Sequence, residues 1–496
     1  MRRIRSVVAV TLALATLPGG LAAASGQTAD PVTVRVMTFN IWYGATPTHG
    51  LDEVVDAIEL ADADVIGMQE PYARLRRIAS ALGFYVSPRM HVISRYPILE
   101  PAGTDGGWAY LLLGPGRVAA IANTHLPCCP YTPYRIVHKG FTRREALEQE
   151  ANTRVRKIER QLAPLGPLID ASVPTFFTGD FNTPSHRDWT PAAVEARGLP
   201  YPIRWPVSLA MEEAGFVDSY RAVHPDPVAD PGFTWTPGYP APFVYDWDVH
   251  DRIDFVWAAG PAMPMDSRVV GESRTNADLV IAPYPTDHRG VVSTFEVTPA
   301  SPPVFVAADR ERSRPGRALD VWFHSAGGAD EHVRLVEAAS GTVVAEVPTG
   351  PEPTVDGTVA FDTTGLVQGP YDLLLLDGSG AELARDHVVL VAHDQDPILT
   401  LADGTLEGAQ RLEVAWTFAP GNRYDWLGVF RAGRTAKTGS IKAWRYLEAQ
   451  VDGSTTIGPG ARGAAGWPLP PGDYELHLCL DDSYRCRVSA PFTVLG

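Results

Sequence analysis

The chain has 496 residues, a formal net charge of −16 and a hydrophobic share of 45%. That length suits about three domains, and that share suits several packed cores. The acidic balance excludes a broad basic footprint for nucleic acid and spontaneous adsorption to anionic membranes, while leaving room for a local cationic pocket.

Arg2, Arg3 and Arg5 precede an apolar run, Val7 to Leu17, that is too short to cross a bilayer. Small residues, Ala22-Ala23-Ala24-Ser25, then offer a cleavage site. Residues 1–28 therefore read as a signal peptide, with an uncleaved anchor as the alternative. The expectation is an exported protein without stable membrane insertion, of mature charge roughly −19 once the three arginines are lost.

Val32 to Phe39 alternates polar and apolar residues as a strand does, and it runs into Asn40-Ile41-Trp42-Tyr43-Gly44. Leu51 to Leu60 has helical periodicity. A second strand, Asp64 to Met68, ends at Gln69-Glu70-Pro71. A helix over Tyr72 to Leu82 and a strand at Val92-Ile93-Ser94 follow, the latter leading to Arg95. Trp108 to Leu113 and Val118 to Asn123 form a hairpin pattern around Gly114-Pro115-Gly116, and the second arm continues into Thr124-His125-Leu126. The next stretch, with Cys128, Cys129, Tyr131 and Tyr134 among prolines, is either a wall of substrate entry or a Pro-braced loop. Thr142 to Leu162 reads as a polar helix whose Arg143, Arg144, Arg154, Arg156 and Lys157 mostly face solvent.

The apolar run Val173 to Phe177 reads as a buried strand that delivers Asp180 and Asn182 to one rim. Pro206 to Ala214 is a helix pattern, and Ile253 to Trp257 is a strand that contains Asp254 and follows Arg252. Thr286-Asp287-His288-Arg289-Gly290 introduces the strand Val291 to Phe295. Taken singly, a polar residue at a strand end is more often a turn former or a cap. Here Asn40, Glu70, His125, Asp180, Asn182, Asp254, Asp287 and His288 all lie at or near strand ends, where one edge of a sheet sandwich can gather them.

Pro299, Pro302 and Pro303 mark a linker, and the composition beyond it turns to short β-type runs. Residues 304–394 and 395–496 repeat one plan: Leu319 to Phe323 resembles Leu412 to Phe418, and Gly369 to Leu375 resembles Pro471 to Leu478. The expectation is two tandem β-sandwiches of Ig-like size, with Trp416, Trp426, Trp444 and Trp467 in their cores rather than on a ligand surface. Cys479 and Cys486 flank a hairpin tipped by Asp482-Ser483 and face each other across it, which suits a disulfide in an exported protein. Cys128 and Cys129 are adjacent, either as a vicinal disulfide or as two thiols.

The ordered set Thr38-Phe39-Asn40-Ile41-Trp42, Met68-Gln69-Glu70, Asn123-Thr124-His125-Leu126, Gly179-Asp180-Phe181-Asn182, Arg252-Ile253-Asp254-Phe255 and Thr286-Asp287-His288 resembles the endonuclease/exonuclease/phosphatase superfamily, the DNase-I-like fold. The resemblance covers residues 30–298 and implies a four-layer α/β sandwich, two packed β-sheets flanked by helices. It also implies a divalent-metal phosphoesterase, in a superfamily that holds nucleases, sphingomyelinases and inositol-phosphate phosphatases.

By that resemblance Glu70 and Asn40 bind Mg²⁺ (Mn²⁺ or Ca²⁺ as alternatives), and Asp287 binds it directly or through water. Asp180, helped by Asn182, orients and deprotonates the attacking water. Asp254 pairs with a protonated His288, and His125 contacts the phosphate. Arg95, Arg252, Tyr131 and Tyr134 are candidate substrate contacts, the two arginines being equally readable as structural ion-pair partners. Trp42 stands where abasic-site endonucleases tend to carry an acid, and Asn-x-Trp is closer to some sphingomyelinases. A phospholipid or other small phosphodiester is therefore favoured over nucleic acid, with inositol phosphates third. A non-catalytic binding or adhesion protein, carried by the sandwiches on a degenerate scaffold, is the reading from another class.

Overall fold

The computed structural model describes residues 30–496 apart from 49, 102–103, 105, 352–353, 393–394, 408, 435–440, 460–463 and 465–466. The leader expected over residues 1–28 lies outside the described residues.

Two sheets build the N-terminal unit. One has seven strands in the order Leu279–Val280, Ala262–Gly271, Gly290–Val297, Val32–Asn40, Val65–Gln69, Val92–Ser94 and Tyr85–Ser87. The other has six, in the order Ile98–Leu99, Ala109–Gly114, Arg117–His125, Thr175–Asp180, Asp254–Ala259 and Val217–Asp218. Strand alternation sorts their side chains into layers. Val34, Val36, Phe176, Val256 and Phe295 fill the space between the sheets. Met37, Phe39 and Met68 point the other way, onto Val54 and Ile58 of the helix Leu51–Ala61 and Leu75 and Ile78 of Leu75–Leu82. Phe177, Phe255 and Trp257 of the second sheet pack on Ile158, Leu162 and Met211 of its covering helices. The result is the expected four-layer sandwich.

The sheets approach closely beneath the site. A Cβ on Gly67 would lie 1.9 Å from Thr178 Oγ1, so only glycine fits there. Around it Gln69 Nε2 donates to Asn123 Oδ1 at 2.8 Å, and Thr178 Oγ1 donates to the same oxygen at 3.0 Å. This polar layer ties the ends of three strands together.

The expected helix over 142–162 is present but not uniform. Arg143–Glu150 is α-helical with a Thr142–Glu145 capping box, Ala151–Val155 is a π turn, and Arg156–Leu162 is α-helical again. Arg154 is fully buried there instead of facing solvent, and it pairs with Glu150 at 2.7 Å. The expected Pro-braced loop gives way at Thr132 to a helix, Thr132–Lys139, with proline in its first turn and Tyr134 on it; helices at Pro191–Arg197 and Ser219–Val223, and the strand Ala262–Gly271, lie in stretches without a sequence-based expectation.

The rest of the chain forms two β-sandwiches of matching order. Each has a three-stranded and a five-stranded sheet. Leu319–His324 and Leu412–Thr417 are the middle strands of the small sheets; Gly369–Leu376 and Gly472–Cys479 hold equivalent places in the large ones. Tyr371 Oη donates to Val367 O and Tyr474 Oη to Pro470 O, the same local bond in both copies. Trp416 and Trp426 are buried, and Trp444 and Trp467 pack against the cores. Cys479 and Cys486 form a disulfide. Among the described residues no helix is long and apolar enough to cross a membrane.

Candidate active site

Register explains why distant residues meet. Asn40 pairs with Gln69, which places Glu70 one residue beyond the end of the neighbouring strand. His125 pairs with Asp180 in parallel, and Asp180 with Asp254 in antiparallel. Four strand ends, in two parallel pairs, and two antiparallel strand starts therefore share one edge of the sandwich.

Asp180 is the centre. Its Oδ2 accepts from Asn40 Nδ2 at 3.0 Å and lies 3.4 Å from His125 Nε2 and 3.8 Å from His288 Nε2. Its Oδ1 accepts from the backbone N–H of Asn182 at 2.9 Å. That turn puts Asn182 at φ 51°, a left-handed conformation Asn tolerates, and its amide donates to Leu126 O at 3.1 Å. His288 Nδ1 donates to Asp254 Oδ2 at 2.9 Å, and Asp254 is wholly buried. Burial disfavours an imidazolium at His288, but the carboxylates of Asp254, Asp180 and Asp287 outweigh it and hold the ring up to about 10. Burial pushes the Asp287 carboxyl up to about 7 against the pull of His288, and the charge of Glu70 adds to the rise.

Thr286 connects the two halves of the rim: its Oγ1 donates to Asn40 O at 2.8 Å and accepts the His288 N–H. Asn40 Oδ1 accepts from the Trp42 N–H at 3.1 Å. The Tyr43 N–H donates to Glu70 Oε2 at 2.9 Å. This corner is strained. Trp42, Tyr43, Ala45, Glu70 and Tyr72 all take left-handed φ angles between 40° and 57°. Such residues cost about 1–3 kcal/mol each and persist where their surroundings over-determine them.

Glu70, His125, Asp180, Asn182, Asp287 and His288 open onto a single pocket of about 500 Å³. Asn40 and Asp254 stand just behind it, bonded to Asp180 and His288. Tyr131 and Tyr134 line its wall as expected, although the Tyr131 hydroxyl is spent on Asp251 Oδ2 at 3.0 Å.

Arg95 and Arg252 are not brought to the pocket, which corrects both as substrate contacts. Arg95 pairs with Asp62 and Asp64 at 3.2 Å in each case. Arg252 is fully buried between Asp188 and Asp218, at 2.9 and 2.7 Å. In both, neighbouring carboxylates compensate the guanidinium before any substrate could.

The sequence did not single out Trp235, Trp247 and Arg154. Trp235 packs 4.9 Å from the His288 ring, and Trp247 stacks on Tyr245 at the pocket rim. Arg154 donates to Cys128 O and Pro130 O, fixing the loop that presents Cys128 and Cys129 to the pocket. Those cysteines are free thiols with their sulfurs 2.7 Å apart, and burial pushes the Cys128 thiol up to about 11.

Residues 37–288, just over half of the chain, match the Endonuclease/Exonuclease/phosphatase family. The chain belongs to that family. This phosphoesterase is 27% identical over 296 residues to an uncharacterized protein of Caenorhabditis elegans, covering 53% of this chain and 91% of that one. It is similar to the crystal structure of an endonuclease/exonuclease/phosphatase from Beutenbergia cavernae, at 18% identity, 72% of this chain, 100% of that chain and a TM-score of 0.35. Three fibronectin domains of chicken CNTN1 match at 8% identity, over 48% of this chain and 93% of theirs, with a TM-score of 0.15. Membership makes the protein a hydrolase of phosphoester bonds, in a family generally dependent on a divalent metal.

The donor chemistry fits such a metal. Glu70, Asn40 and Asp287 offer hard oxygens, the kind magnesium takes. Burial leads the rise of the Asp287 carboxyl and the charge of Glu70 adds to it, so a cation between these oxygens would offset charge that burial penalises. Asp180, Asp254 and His288 also place ligand atoms within 4.8 Å of one another. A His288 imidazolium has no lone pair to give, so that trio suits a proton better than an ion.

Proposed function

We propose that this phosphoesterase is an exported, Mg²⁺-dependent phosphodiesterase that acts on a phospholipid headgroup or another small diester. The observation that carries the reading is the convergence of Asn40, His125 and His288 on the Asp180 carboxylate, beside the oxygens of Glu70 and Asp287.

Phosphodiesters resist hydrolysis because negative oxygens shield phosphorus, so the site must align water and offset charge. Asp180 is held from four directions at the pocket wall. It orients a water for in-line attack and takes its proton; Asn182 fixes the turn that aims it. His288, kept cationic by Asp254, stabilises the charge that builds on the phosphoryl oxygens. His125, a third exposed and 3.4 Å from Asp180, contacts the phosphate from the opposite wall. Glu70, Asn40 and Asp287 would hold Mg²⁺, which supplies Lewis-acid polarisation of a phosphoryl oxygen and stabilises the leaving oxygen.

The aromatic wall supports a small, partly apolar substrate. Trp42, Trp235 and Trp247 line the pocket beside its acids, and the net charge of −16 opposes long polyanions. The stacked and exposed Tyr245–Trp247 pair gives a nuclease reading its one support, because a base can stack there. Export rests on the basic and apolar pattern of residues 1–28.

The test is hydrolysis of bis(4-nitrophenyl) phosphate with Mg²⁺, with EDTA, and by His288→Ala, followed by phosphocholine lipids, single-stranded DNA and inositol phosphates. Turnover that needs both metal and His288, and prefers the lipids, is expected. A preference for DNA would replace the small-diester reading with the nuclease one. Turnover that survives EDTA would overturn the metal assignment.

A further inference from the structure

The disulfide-closed tip of the second sandwich reaches the catalytic unit. Cys479 and Cys486 close a loop that carries Asp481, Asp482, Ser483 and Tyr484. The loop is held stiffly from its own side: the Asp481 N–H donates to Asp425 Oδ1, and Trp426 Nε1 donates to Ser483 O. On the other side Asp481 pairs with Arg76, Asp482 pairs with Arg89, and the Tyr484 ring lies 6.4 Å from that of Tyr72. Tyr72 in turn stacks on Tyr43 at 5.8 Å, with the rings 9° from parallel.

Those contacts end at the strained corner of the pocket. Tyr43 donates its N–H to the Glu70 carboxylate, and Gly44 donates to Glu70 O at 2.8 Å. Glu70, Tyr72 and Tyr43 are all left-handed. Backbone of that kind relaxes when its supports are removed. Within the catalytic unit the supports include those two hydrogen bonds, the Trp42 N–H on Asn40 Oδ1, the Ile41 N–H on Gln69 O and the Tyr43–Tyr72 stack. From outside they are Tyr484 and the Arg76–Asp481 pair, which anchors the helix starting just after Tyr72.

We propose that the second sandwich is part of the catalytic apparatus: its disulfide-closed tip clamps the Glu70 loop in the conformation that binds metal, with Tyr484 and Asp481 as positioning residues. This rests on the reading of Glu70 as a metal ligand. It gives the C-terminal repeat a role inside the chain, distinct from capture of an external partner.

The test uses the full chain and the variants Tyr484→Ala, Tyr484→Phe, Tyr484→Ala/Asp481→Ala and Glu70→Ala. Two readouts are taken: hydrogen exchange over residues 42–46 and 68–74 without metal, and Mn²⁺ binding followed by calorimetry. Tyr484→Ala should speed exchange in both segments and raise the Mn²⁺ concentration for half-saturation about three- to tenfold, with a larger shift in the double variant. Tyr484→Phe keeps the ring and should restore both values. A merely structural contact would lower thermal stability and leave both readouts at the wild-type value.

Unchanged exchange in the double variant overturns the clamp. Faster exchange with Mn²⁺ binding that neither Tyr484→Ala nor Glu70→Ala alters supports the clamp and overturns Glu70 as the ligand. A weakened Glu70→Ala beside an unshifted double variant overturns the clamp alone.

Discussion

Replacing Asp254 by Asn removes one charge and almost no volume from the centre of the site. In the wild type His288 is held up to about 10 from an ordinary 6.5, burial opposing the rise and Asp254 leading the carboxylates that produce it. That rise corresponds to about 5 kcal/mol of net preference for the imidazolium, carboxylate attraction less the cost of burial, and sets a ceiling on what the protonated ring adds to folding. A raised folded value means the contribution is complete below pH 6.5 and fades as pH climbs through 10. In Asp254→Asn, burial remains while the strongest opposing charge is gone, so His288 is neutral at pH 8. We expect kcat for bis(4-nitrophenyl) phosphate to fall about 10²- to 10⁴-fold at pH 8. Part of that loss should return as pH drops toward 5.5 and the ring regains its proton. The stability gap between the two proteins, read by thermal unfolding, should be widest below pH 6.5 and narrow toward pH 10. A pH–rate profile of unchanged shape, or a loss under about threefold, would refute the assignment of a cationic His288.

Arg154→Met strands the buried Glu150 carboxylate and should cost about 3–5 kcal/mol in urea unfolding, whereas Arg154→Met/Glu150→Gln should recover part of that loss; no recovery would count against the pair. Gly67→Ala drives a methyl into Thr178 and should destabilise by at least about 1–3 kcal/mol, read as a lower urea midpoint. Arg95→Ala should leave kcat and KM within about twofold, because the half-exposed guanidinium lies outside the pocket and pairs with Asp62 and Asp64; a large KM increase would restore it as a phosphate contact. Asp425 should make the clamp pH-dependent. Burial, with the nearby charge of Asp481, pushes its carboxyl up to about 7, so its folded form holds a proton that the unfolded chain has lost. Stability from this group is therefore greatest below about pH 4 and is lost as pH rises to 7. Hydrogen exchange over residues 480–485 should be slower at pH 5 than at pH 8 after correction for intrinsic rates, with Asp425→Asn flattening the difference.

The site was legible because it is written at strand ends. Asn40, Glu70, His125, Asp180 and Asn182 end or follow strands, Asp254 begins one, and Asp287 and His288 stand just before one; register then carries His125, Asp180 and Asp254 to one edge of the second sheet and Asn40 and Glu70 to one edge of the first. The two sandwiches were legible for a related reason, a repeated strand plan with turn residues at matching places. The two readings of Arg252, substrate contact and structural ion pair, could not be separated in the sequence because its partners, Asp218 and Asp188, are 34 and 64 residues away and nothing local announces them. Trp235 was missed because it sits in a loop without periodicity, joined by isolated bridges to Asp251 and His288. Arg154 had a signal that went unused: Glu150 stands four residues before it, the spacing of a helical ion pair.

The same contrast explains why the role of the second sandwich could not be read from sequence. Asp481 meets Arg76 across 405 positions, and Asp482 meets Arg89 across 393. Neither pair shares a strand, a helix face or a turn, so no periodicity links them. Seen from the sequence, the Asp481-Asp482-Ser483-Tyr484 loop is an ordinary polar hairpin tip, Tyr43 is an ordinary loop aromatic and Tyr72 the first residue of a helix. Only in the folded chain do they form one column from a disulfide to the Glu70 carboxylate. Local pattern thus specifies which groups can do the chemistry. Long-range packing specifies how firmly they are held, and under the proposed clamp part of that hold comes from a different domain.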